Sequence, residues 1–319
     1  MSSQERDPLV TIGVFCYNQG DYAADAVANI QRMTYRNVEC FLVDDGSKDD
    51  SAERIREAAG SLPGAKVIED GENLGLPNRI QQVVERAAGE WLYWVPVDDI
   101  MLPHAVATLV AATSPQIDVV WGDMEVVSED GQSLGYRRPG ETWQGPTARK
   151  YVDGGYPFQD LMRSNNFING PMTLVRREAV LKVGGYPPGI RPEDLNMWLT
   201  MGRTSRFKYV PEVIAKYRVV QNSGSRNEPF AMRNQAAMCR HQLELGDVPR
   251  SGMARLMAMR WSLHLARERF RPSVSLQEFA EMCGLRKGEL AAQLPRAAAD
   301  PIVRSGTAWL RRKARGVAR

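Results

Sequence analysis

The chain has 319 residues, of which 43% are apolar and 25% charged, and its formal net charge is +3. So apolar a composition excludes an intrinsically disordered chain, and so small a net charge does not indicate a nucleic-acid partner. The length predicts about two domains, or one large α/β domain with an appendage. Four scattered cysteines and three histidines show none of the spacings of a zinc cluster.

Targeting signals are not evident. The polar stretch Met1–Asp7 lacks the apolar core of a signal peptide, and no apolar run reaches the roughly 18 residues of a transmembrane helix. From these features and the cysteine usage we expect a cytoplasmic protein.

The first half of the chain alternates between segments typical of buried strands and segments with helical spacing. The predicted strands are Val10–Asn18, Val38–Val43, Lys66–Ile68 and the apolar run from Glu90 that Pro96 interrupts. The predicted helices are Tyr22–Met33, Ala52–Ala59 and Asn78–Ala88, with Gly89 as the C-cap of the last. This β-α-β-α-β-α-β order predicts right-handed crossovers and a mostly parallel sheet flanked by helices.

Polar clusters follow several of these strands. Asn18 ends the first, Asp44-Asp45 the second, and Asp98-Asp99 the fourth. Ligands of open α/β sheets bind beyond the carboxyl ends of the strands, and paired carboxylates there suit Mg²⁺ shared with substrate phosphates. The alternative is a solvated loop whose aspartate caps the next helix. The chain has neither GxGxxG nor GxxxxGK[ST], which argues against a dinucleotide fingerprint or a P-loop.

The second half is less regular. The predicted elements are a strand Asp118–Val127, a loop Pro139–Gly155 over a site, a strand Met172–Val175 and a helix Arg176–Val183 capped by Gly184-Gly185. Pro192 would lie in the first turn of a further helix, with Glu193 and Asp194 at its positive end. The alternative for this pair is that both carboxylates merely complement the helix dipole.

Eight short motifs follow one another in a specific order: VTIGVFCYNQGDY, FLVDDGSKDDS, ENLGL, AAGEWLYWVPVDDIMLP, DVVWGD, MTLVRREAVLKVGGY, EDLNMWL and VPEVIAKYR. Together they resemble glycosyltransferase family 2, the nucleotide-diphospho-sugar transferases of the GT-A fold. The resemblance runs from about Pro8 to about Asn227. It implies a GT-A domain over residues 1–227, followed by a helical region with a basic tail over residues 228–319.

The resemblance also implies roles for matching residues. The residues that would bind the nucleotide-sugar are Phe15, Tyr17, Asn18, Asp45, Asn73, Asp98 and Arg218. Asp98 and Asp99 would hold a divalent metal, Mg²⁺ or Mn²⁺. Asp194 would be the general base that deprotonates the acceptor hydroxyl, with Glu193 beside it. The implied function is an inverting, metal-assisted transfer of a sugar from a UDP- or dTDP-type donor to an unknown hydroxyl acceptor.

Two departures from the family pattern concern the metal. Pro96 stands at the first acidic position of the usual motif, and the region where many members have a histidine holds Val219, Val220 and Gln221. A metal ligand would therefore be missing, which puts tight metal binding in doubt. A catalytically impaired GT-A-like scaffold is accordingly one alternative function.

Beyond Asn227 the pattern predicts helices, over Pro229–Leu245 and Gly252–Phe270. Ser275–Leu285 and the helix after it resemble a helix-turn-helix, so a DNA-binding module is an alternative to a helical packing module. The end of the chain, from Trp309 to Arg319, is basic with an aromatic anchor. Either this tail is solvated, or it holds the protein at the inner face of an anionic membrane.

Overall fold

The computed structural model describes residues 7–138, 145–164, 166–168, 170–171, 173–191, 193–220, 228–246, 248–267 and 275–299. Several sequence predictions concern residues outside these ranges: the basic tail, Pro192, Gln221, and the part of the Pro139 loop up to Gln144.

The first half forms the predicted alternation of strands and helices. The elements are β1 Val10–Cys16, α1 Ala23–Gln31, β2 Val38–Asp44, α2 Ser51–Gly60, β3 Lys66–Ile68, α3 Leu76–Arg86 and β4 Trp91–Pro96. A 3-10 turn, Gly20–Tyr22, precedes α1. The central strands are buried along nearly their whole length, which is why they read as continuous apolar runs.

The prediction that Gly89 is the C-cap of α3 is wrong. The helix ends at Arg86, and the backbone is already extended at Ala87 (φ −65°, ψ 136°). A Cβ at Gly89 would lie 2.4 Å from the hydroxyl oxygen of Thr11, and the Gly89 amide donates to that oxygen and to Glu39. Close approach to β1 and β2, rather than helix termination, requires glycine here.

The second half adds five strands and further helices. They are β5 Ile100–Met101, α4 Ala105–Ala111, β6 Val119–Val127, β7 Ser133–Arg138, α5 Gly145–Ala148, α6 Phe158–Ser164, β8 Leu174–Arg176, α7 Arg177–Lys182, α8 Glu193–Met201 and β9 Phe207–Arg218. The predicted loop Pro139–Gly155 is partly wrong, because its described part contains α5 and a 3-10 turn, Arg149–Tyr151. Buried Ala148 and Tyr151 fasten this part to the core.

The strands form one sheet of order β3-β2-β1-β4-β8-β6-β9-β5, with β7 paired to β6. Strands β1 to β4 are parallel, and β6 is parallel to β9. The short strand β8 lies antiparallel between β4 and β6, so β6 and β9 run in the same direction as β1 to β4. The mostly parallel α/β sheet flanked by helices is therefore confirmed.

The two faces of the sheet have separate apolar cores, because alternate residues of a strand point to opposite faces. On β4, Leu92 and Trp94 belong to one core, whereas Trp91, Tyr93 and Val95 belong to the other. Helices α1 and α4 cover the second core. The core that contains Trp94 is covered by α3 and α8.

The C-terminal helices continue the core that contains Trp94. They are α9 Glu228–Glu244, α10 Arg250–Arg267, α11 Leu276–Met282, α12 Lys287–Ala291 and α13 Leu294–Ala299. Their buried Met238, Met257 and Phe279 share one cluster with Leu195 of α8. The described helices thus pack directly on the sheet domain, and a domain boundary near residue 227 stays a prediction. Within the described ranges, no helix is long and apolar enough to cross a membrane.

The predicted helix-turn-helix is present as α11 and α12, joined at Gly284, whose φ is +70°. Its apolar side chains face inward, since Phe279 stacks on Trp261 with ring centroids 5.2 Å apart and Leu290 is fully buried. Helix α12 has five residues, and Glu289 lies in its first turn. This packing favours the structural role over the DNA-binding alternative.

Candidate active site

The loops that follow β1 and β2 are fastened to each other. The backbone N–H of Asn18 donates to the Ser47 hydroxyl at 2.9 Å, and the Asn18 side-chain oxygen accepts from the Lys48 amide at 2.8 Å. Ser47 in turn donates to the buried carboxylate of Asp44. Asn18 has a φ of 51°, a left-handed conformation that asparagine tolerates better than most residues. Tyr17 beside it is 44% exposed.

Asp45 organises the turn that precedes α3. Its carboxylate accepts from the amides of Leu74 and Gly75 at 2.9 and 3.0 Å, and from Arg79 Nε at 3.0 Å. The side chain of Asn73 donates to the Asp45 carbonyl at 2.9 Å. Asp45 and Asn73, both predicted to bind nucleotide, therefore lie together, and Asp45 has a structural role as well.

Arg79 is a buried cation that the sequence reasoning missed. Its side chain is fully buried and pairs with Asp45 and Asp70. The hydrogen bond from Arg79 lowers the pKa of Asp70 to about 2. Two carboxylates and the carbonyl of Glu72 thus compensate the buried charge, as a buried cation requires.

Asp98 and Asp99 lie in the turn between β4 and β5. Gln19, from the loop after β1, donates to Asp98 Oδ2 at 3.0 Å, and the backbone N–H of Arg218 donates to Asp99 Oδ1 at 2.8 Å. Burial raises the pKa of the Asp98 carboxyl, and the hydrogen bond from Gln19 and the charge of Arg218 only partly offset this effect. The ionised form of such a carboxylate would be stabilised by an additional cation.

Arg218 ties this turn to two other segments. Its Nε donates to the Asp98 carbonyl at 2.8 Å and its Nη1 to the Glu129 carbonyl at 2.5 Å. Its guanidinium also lies 5.0 Å from the centroid of the Tyr22 ring, within cation–π range. Arg218 was predicted to bind the nucleotide-sugar, and the structure places it against the Asp98-Asp99 turn.

The residues at this turn match a divalent cation in their chemistry. Carboxylate oxygens are the ligands that Mg²⁺ and Mn²⁺ prefer, and Mg²⁺ is often held by one or two carboxylates plus substrate phosphates. In the described part of the chain, no group of three or more His, Cys, Asp or Glu is arranged to hold a metal ion by itself.

Val219 continues the pairing with β6, and Val220 is buried, so apolar side chains occupy the region beyond Arg218.

Glu193 and Asp194 form the first turn of α8. Asp194 Oδ1 accepts from the Leu195 amide at 2.6 Å, and Oδ2 accepts from the side chain of Asn166 at 2.8 Å. Burial raises the pKa of Glu193 to about 7, the neighbouring Asp194 charge adds to the rise, and Arg191 partly opposes it. Burial and the adjacent negative charge thus favour the protonated form of Glu193.

Trp94 connects the end of β4 with this pair. Its ring meets Phe15 of β1 edge-on, with centroids 5.8 Å apart, and its Nε1–H donates to the Tyr186 hydroxyl at 3.1 Å. Burial raises the pKa of Tyr186, and the charges of Glu193 and Asp194 contribute to the rise. One aromatic row thus runs from the predicted nucleotide pocket to the neighbourhood of the predicted base.

The C-terminal helices hold the other side of α8. The buried Asn196 side chain accepts from Gln242 Nε2 at 2.9 Å and lies 2.9 Å from His241 Nδ1. Gln242 also donates to the Thr200 hydroxyl at 2.9 Å. The helix that begins with Glu193 is therefore fixed by polar contacts as well as by apolar packing.

Sequence reasoning found the carboxylates but missed their partners. Those partners are Gln19, Arg79 and Asn166. A polar residue inside a motif, such as Gln19 after Asn18, was an available signal. No sequence signal indicated Asn166, because only the folded chain brings it to Asp194.

Known proteins share both the sequence pattern and the fold of this chain. Residues 11–184, more than half of the chain, match the profile described as Glycosyl transferase family 2. An uncharacterized glycosyltransferase of Haemophilus influenzae is 24% identical over 225 residues, covering 69% of this chain and 68% of that protein. An uncharacterized glycosyltransferase of Rickettsia felis is 24% identical over 229 residues, and the match spans only 35% of its length.

Solved structures show the same fold. The mannosyltransferase PcManGT from Pyrobaculum calidifontis, in complex with GDP-Man and Mn²⁺, aligns with a TM-score of 0.62 and 18% sequence identity. The alignment covers 96% of this chain and 86% of that chain. The described helices after β9 therefore lie within the range of the structural likeness.

Proposed function

Because the chain belongs to glycosyl transferase family 2, we propose that it moves a sugar from a nucleotide-diphosphate donor to an acceptor hydroxyl, with inversion at the anomeric carbon. The finer parts of the proposal are metal assistance at Asp98 and Asp99, and proton acceptance by Asp194. The observation that supports it best is the position of Trp94, between the predicted nucleotide pocket and the Glu193-Asp194 pair.

On the donor side, the nucleotide would lie over the loops after β1 and β2. Phe15, Tyr17, Asn18, Asp45 and Asn73 would form its pocket. Asp45 would act partly through the Asn73–Gly75 turn, which its carboxylate already holds by two amide hydrogen bonds. Hydrogen bonds between the loops keep the pocket in shape before the donor binds, which lowers the ordering cost of binding.

Asp98 and Asp99 would hold a divalent cation together with the diphosphate of the donor. Bound there, Mg²⁺ or Mn²⁺ would neutralise charge on the departing nucleoside diphosphate as a Lewis acid. Gln19 and Arg218 would keep the two carboxylates in place by the hydrogen bonds described above. The raised pKa of Asp98 supports this role, since its charge is incompletely compensated by protein groups.

On the acceptor side, Asp194 would accept the hydroxyl proton. The acceptor oxygen forms a bond to the anomeric carbon, the bond from that carbon to the phosphate oxygen breaks, and the nucleoside diphosphate leaves with the electron pair. A positioned base contributes typically about 10²–10⁴-fold to such a step. Glu193, with its pKa raised to about 7, would be partly protonated at neutral pH and would position the acceptor.

The test is release of nucleoside diphosphate from a panel of UDP-, dTDP- and GDP-sugars, with a mixture of saccharide acceptors, with Mn²⁺ or with EDTA. We expect turnover with one donor class, loss of turnover in EDTA, and a fall of at least about a hundredfold in kcat for Asp194→Asn, with donor affinity retained. Glu193→Gln is the matched control and should be milder.

Each contrary outcome would exclude one part of the proposed function. Equal rates for Asp194→Asn and wild type would exclude that base, and a loss confined to Glu193→Gln would transfer the role to Glu193. Full activity in EDTA would exclude metal assistance. Nucleotide binding without any turnover across the panel would favour the scaffold alternative.

A further inference from the structure

We propose that Asn166 is a positioning residue that holds the Asp194 carboxylate in the orientation and charge state in which it accepts the acceptor proton. The inference rests on the proposed function, in which Asp194 is the base. It adds a residue that lies outside the motifs of the sequence and that no sequence pattern connects to the site.

Both ends of the Asn166 side-chain amide are used. Its Nδ2 donates to Asp194 Oδ2 at 2.8 Å, and its Oδ1 accepts from the Ile168 amide at 3.2 Å. Because the Ile168 N–H can only donate, the amide oxygen must face Ile168, and the NH₂ group is then directed at Asp194. The hydrogen-bond network therefore determines the orientation of the amide.

The residues after Asn166 anchor it in the core. Phe167 is 1% exposed, and its ring stacks on Tyr151 with centroids 5.5 Å apart. Ile168 is also buried, in the same cluster as Trp94. Because the backbone that carries the Asn166 donor is already fixed, little conformational entropy is lost when the donor binds the carboxylate. A preorganised site requires this property.

Gly170, in the same segment as Asn166, restricts the position of the Asp194 carboxylate. A Cβ at this position would lie 2.7 Å from Asp194 Oδ2 and 2.8 Å from Asp194 Cβ. Both distances are shorter than side-chain carbons normally make, so any larger residue would displace Asp194. Asn166 and Gly170 thus fix the Oδ2 side of the carboxylate, and the Leu195 amide fixes Oδ1.

Other charged groups also act on Asp194 and would remain in any variant of Asn166. Glu193 precedes it on α8, Tyr186 and the α10 residue Arg260 interact with its charge, and Arg191 lies 4.0 Å from Glu193. Glu193 disfavours ionisation of Asp194, whereas Arg260 favours it. The Asn166 donor adds to the second effect, because a hydrogen bond to the ionised form stabilises that form.

Two substitutions separate positioning of Asp194 from support of the loop. Asn166→Asp keeps an oxygen for the Ile168 amide but replaces the donor to Asp194 by a second carboxylate. Asn166→Ala removes both contacts. If Asn166 only supported the loop, Asn166→Asp would behave like wild type and Asn166→Ala alone would be impaired.

We expect instead that both variants lose activity. Asn166→Asp should lose about tenfold or more in kcat at pH 7, with unchanged binding of the nucleoside diphosphate, and the acid limb of its pH–rate profile should move to higher pH. Asn37→Asp is the control, because Asn37 is exposed and its Nδ2 donates to the Asp7 carbonyl, away from Asp194. Gly170→Ala should lower kcat without moving the affinity for nucleotide. A wild-type pH profile in Asn166→Asp would overturn the inference.

A second measurement does not depend on turnover. The chain is labelled with ¹³C at the aspartate carboxyl carbons, and the Asp194 signal is assigned by its loss in Asp194→Asn. The pKa of Asp194 should be higher in Asn166→Ala than in wild type, and unchanged in Asn37→Asp. An unaltered Asp194 titration would exclude the inference. A raised pKa in a protein that lacks turnover would instead mean that the proposed function has failed and the Asn166–Asp194 relation has not.

Discussion

The indole Nε1–H of Trp94 donates a 3.1 Å hydrogen bond to the hydroxyl of Tyr186. Trp94 lies on the strand that leads to Asp98, and Tyr186 lies in the segment that leads to α8. Both residues are buried, so neither polar atom can exchange this bond for one to bulk water. The contact therefore couples the position of the two predicted carboxylate pairs.

Tyr186→Phe should lower the free energy of unfolding by roughly 1–3 kcal/mol, because it leaves the buried Trp94 N–H without its partner. Urea unfolding measures this change. Tyr156→Phe is the matched control, since Tyr156 is 60% exposed, and it should change the unfolding free energy little. Equal effects of the two substitutions would contradict an energetic role for the Trp94–Tyr186 contact.

Asp99→Ala should severely reduce nucleotide-sugar turnover, because it removes a predicted metal ligand and the acceptor of the Arg218 amide. The measurement is turnover at saturating donor over a range of Mn²⁺ concentrations. Asp25→Ala is the control, since Asp25 is an exposed aspartate in the first turn of α1. A folded Asp99→Ala protein with the wild-type rate would place the metal site elsewhere.

Asp45→Asn should weaken both stability and nucleotide binding. The change removes the negative charge that pairs with the buried Arg79 and replaces one of the two oxygens that accept from Leu74, Gly75 and Arg79 by an NH₂ group, so the free energy of unfolding should fall by roughly 1–3 kcal/mol. Affinity for nucleoside diphosphate, measured by calorimetry, should fall by a similar amount. Asp50→Asn, in the same loop but exposed, controls for the loss of charge. Unchanged nucleotide affinity would leave Asp45 with its structural role alone.

Glu193→Gln should change how stability depends on pH. Burial, and then the Asp194 charge, raise the pKa of Glu193 from 4.5 to about 7. Between these two values the folded state holds a proton that the unfolded state has released, so the wild-type free energy of unfolding falls as pH rises through this window. The glutamine variant lacks this term and should gain up to about 3 kcal/mol relative to wild type between pH 4.5 and pH 7.5. Parallel unfolding curves across this range would mean that the pKa of Glu193 is ordinary.

Much of the sheet was predictable because its signals are local. The runs that became β1, β2 and β4 are mostly apolar, and Asp45, Asp98 and Asp99 follow soon after them in the chain. The carboxyl ends of parallel strands lie at one edge of a sheet, so a parallel arrangement of the predicted strands was enough to place these carboxylates at the same edge. The predicted family and fold are confirmed by the family match and the structural likeness. The roles of the individual residues stay predictions.

Other features were decided only by the tertiary structure. The strand predicted over Met172–Val175 is present as β8 (Leu174–Arg176), but no local signal showed that it would lie between β4 and β6 through antiparallel pairs with residues far away in the chain. The sequence predicted Gly89 to be a helix cap. In the structure, glycine is required at this position because Thr11 approaches it closely.

The sequence by itself determined which carboxylates are present and at which end of the sheet they lie, because strand ends and helix starts are encoded by neighbouring residues. It did not determine how each carboxylate behaves. Burial and the nearby Asp194 charge raise the pKa of Glu193, whereas Arg79 and Asn166 hold the carboxylates of Asp45 and Asp194 by hydrogen bonds. Most of these effects act between residues that are distant in the chain and adjacent in space, so only the folded protein contains them.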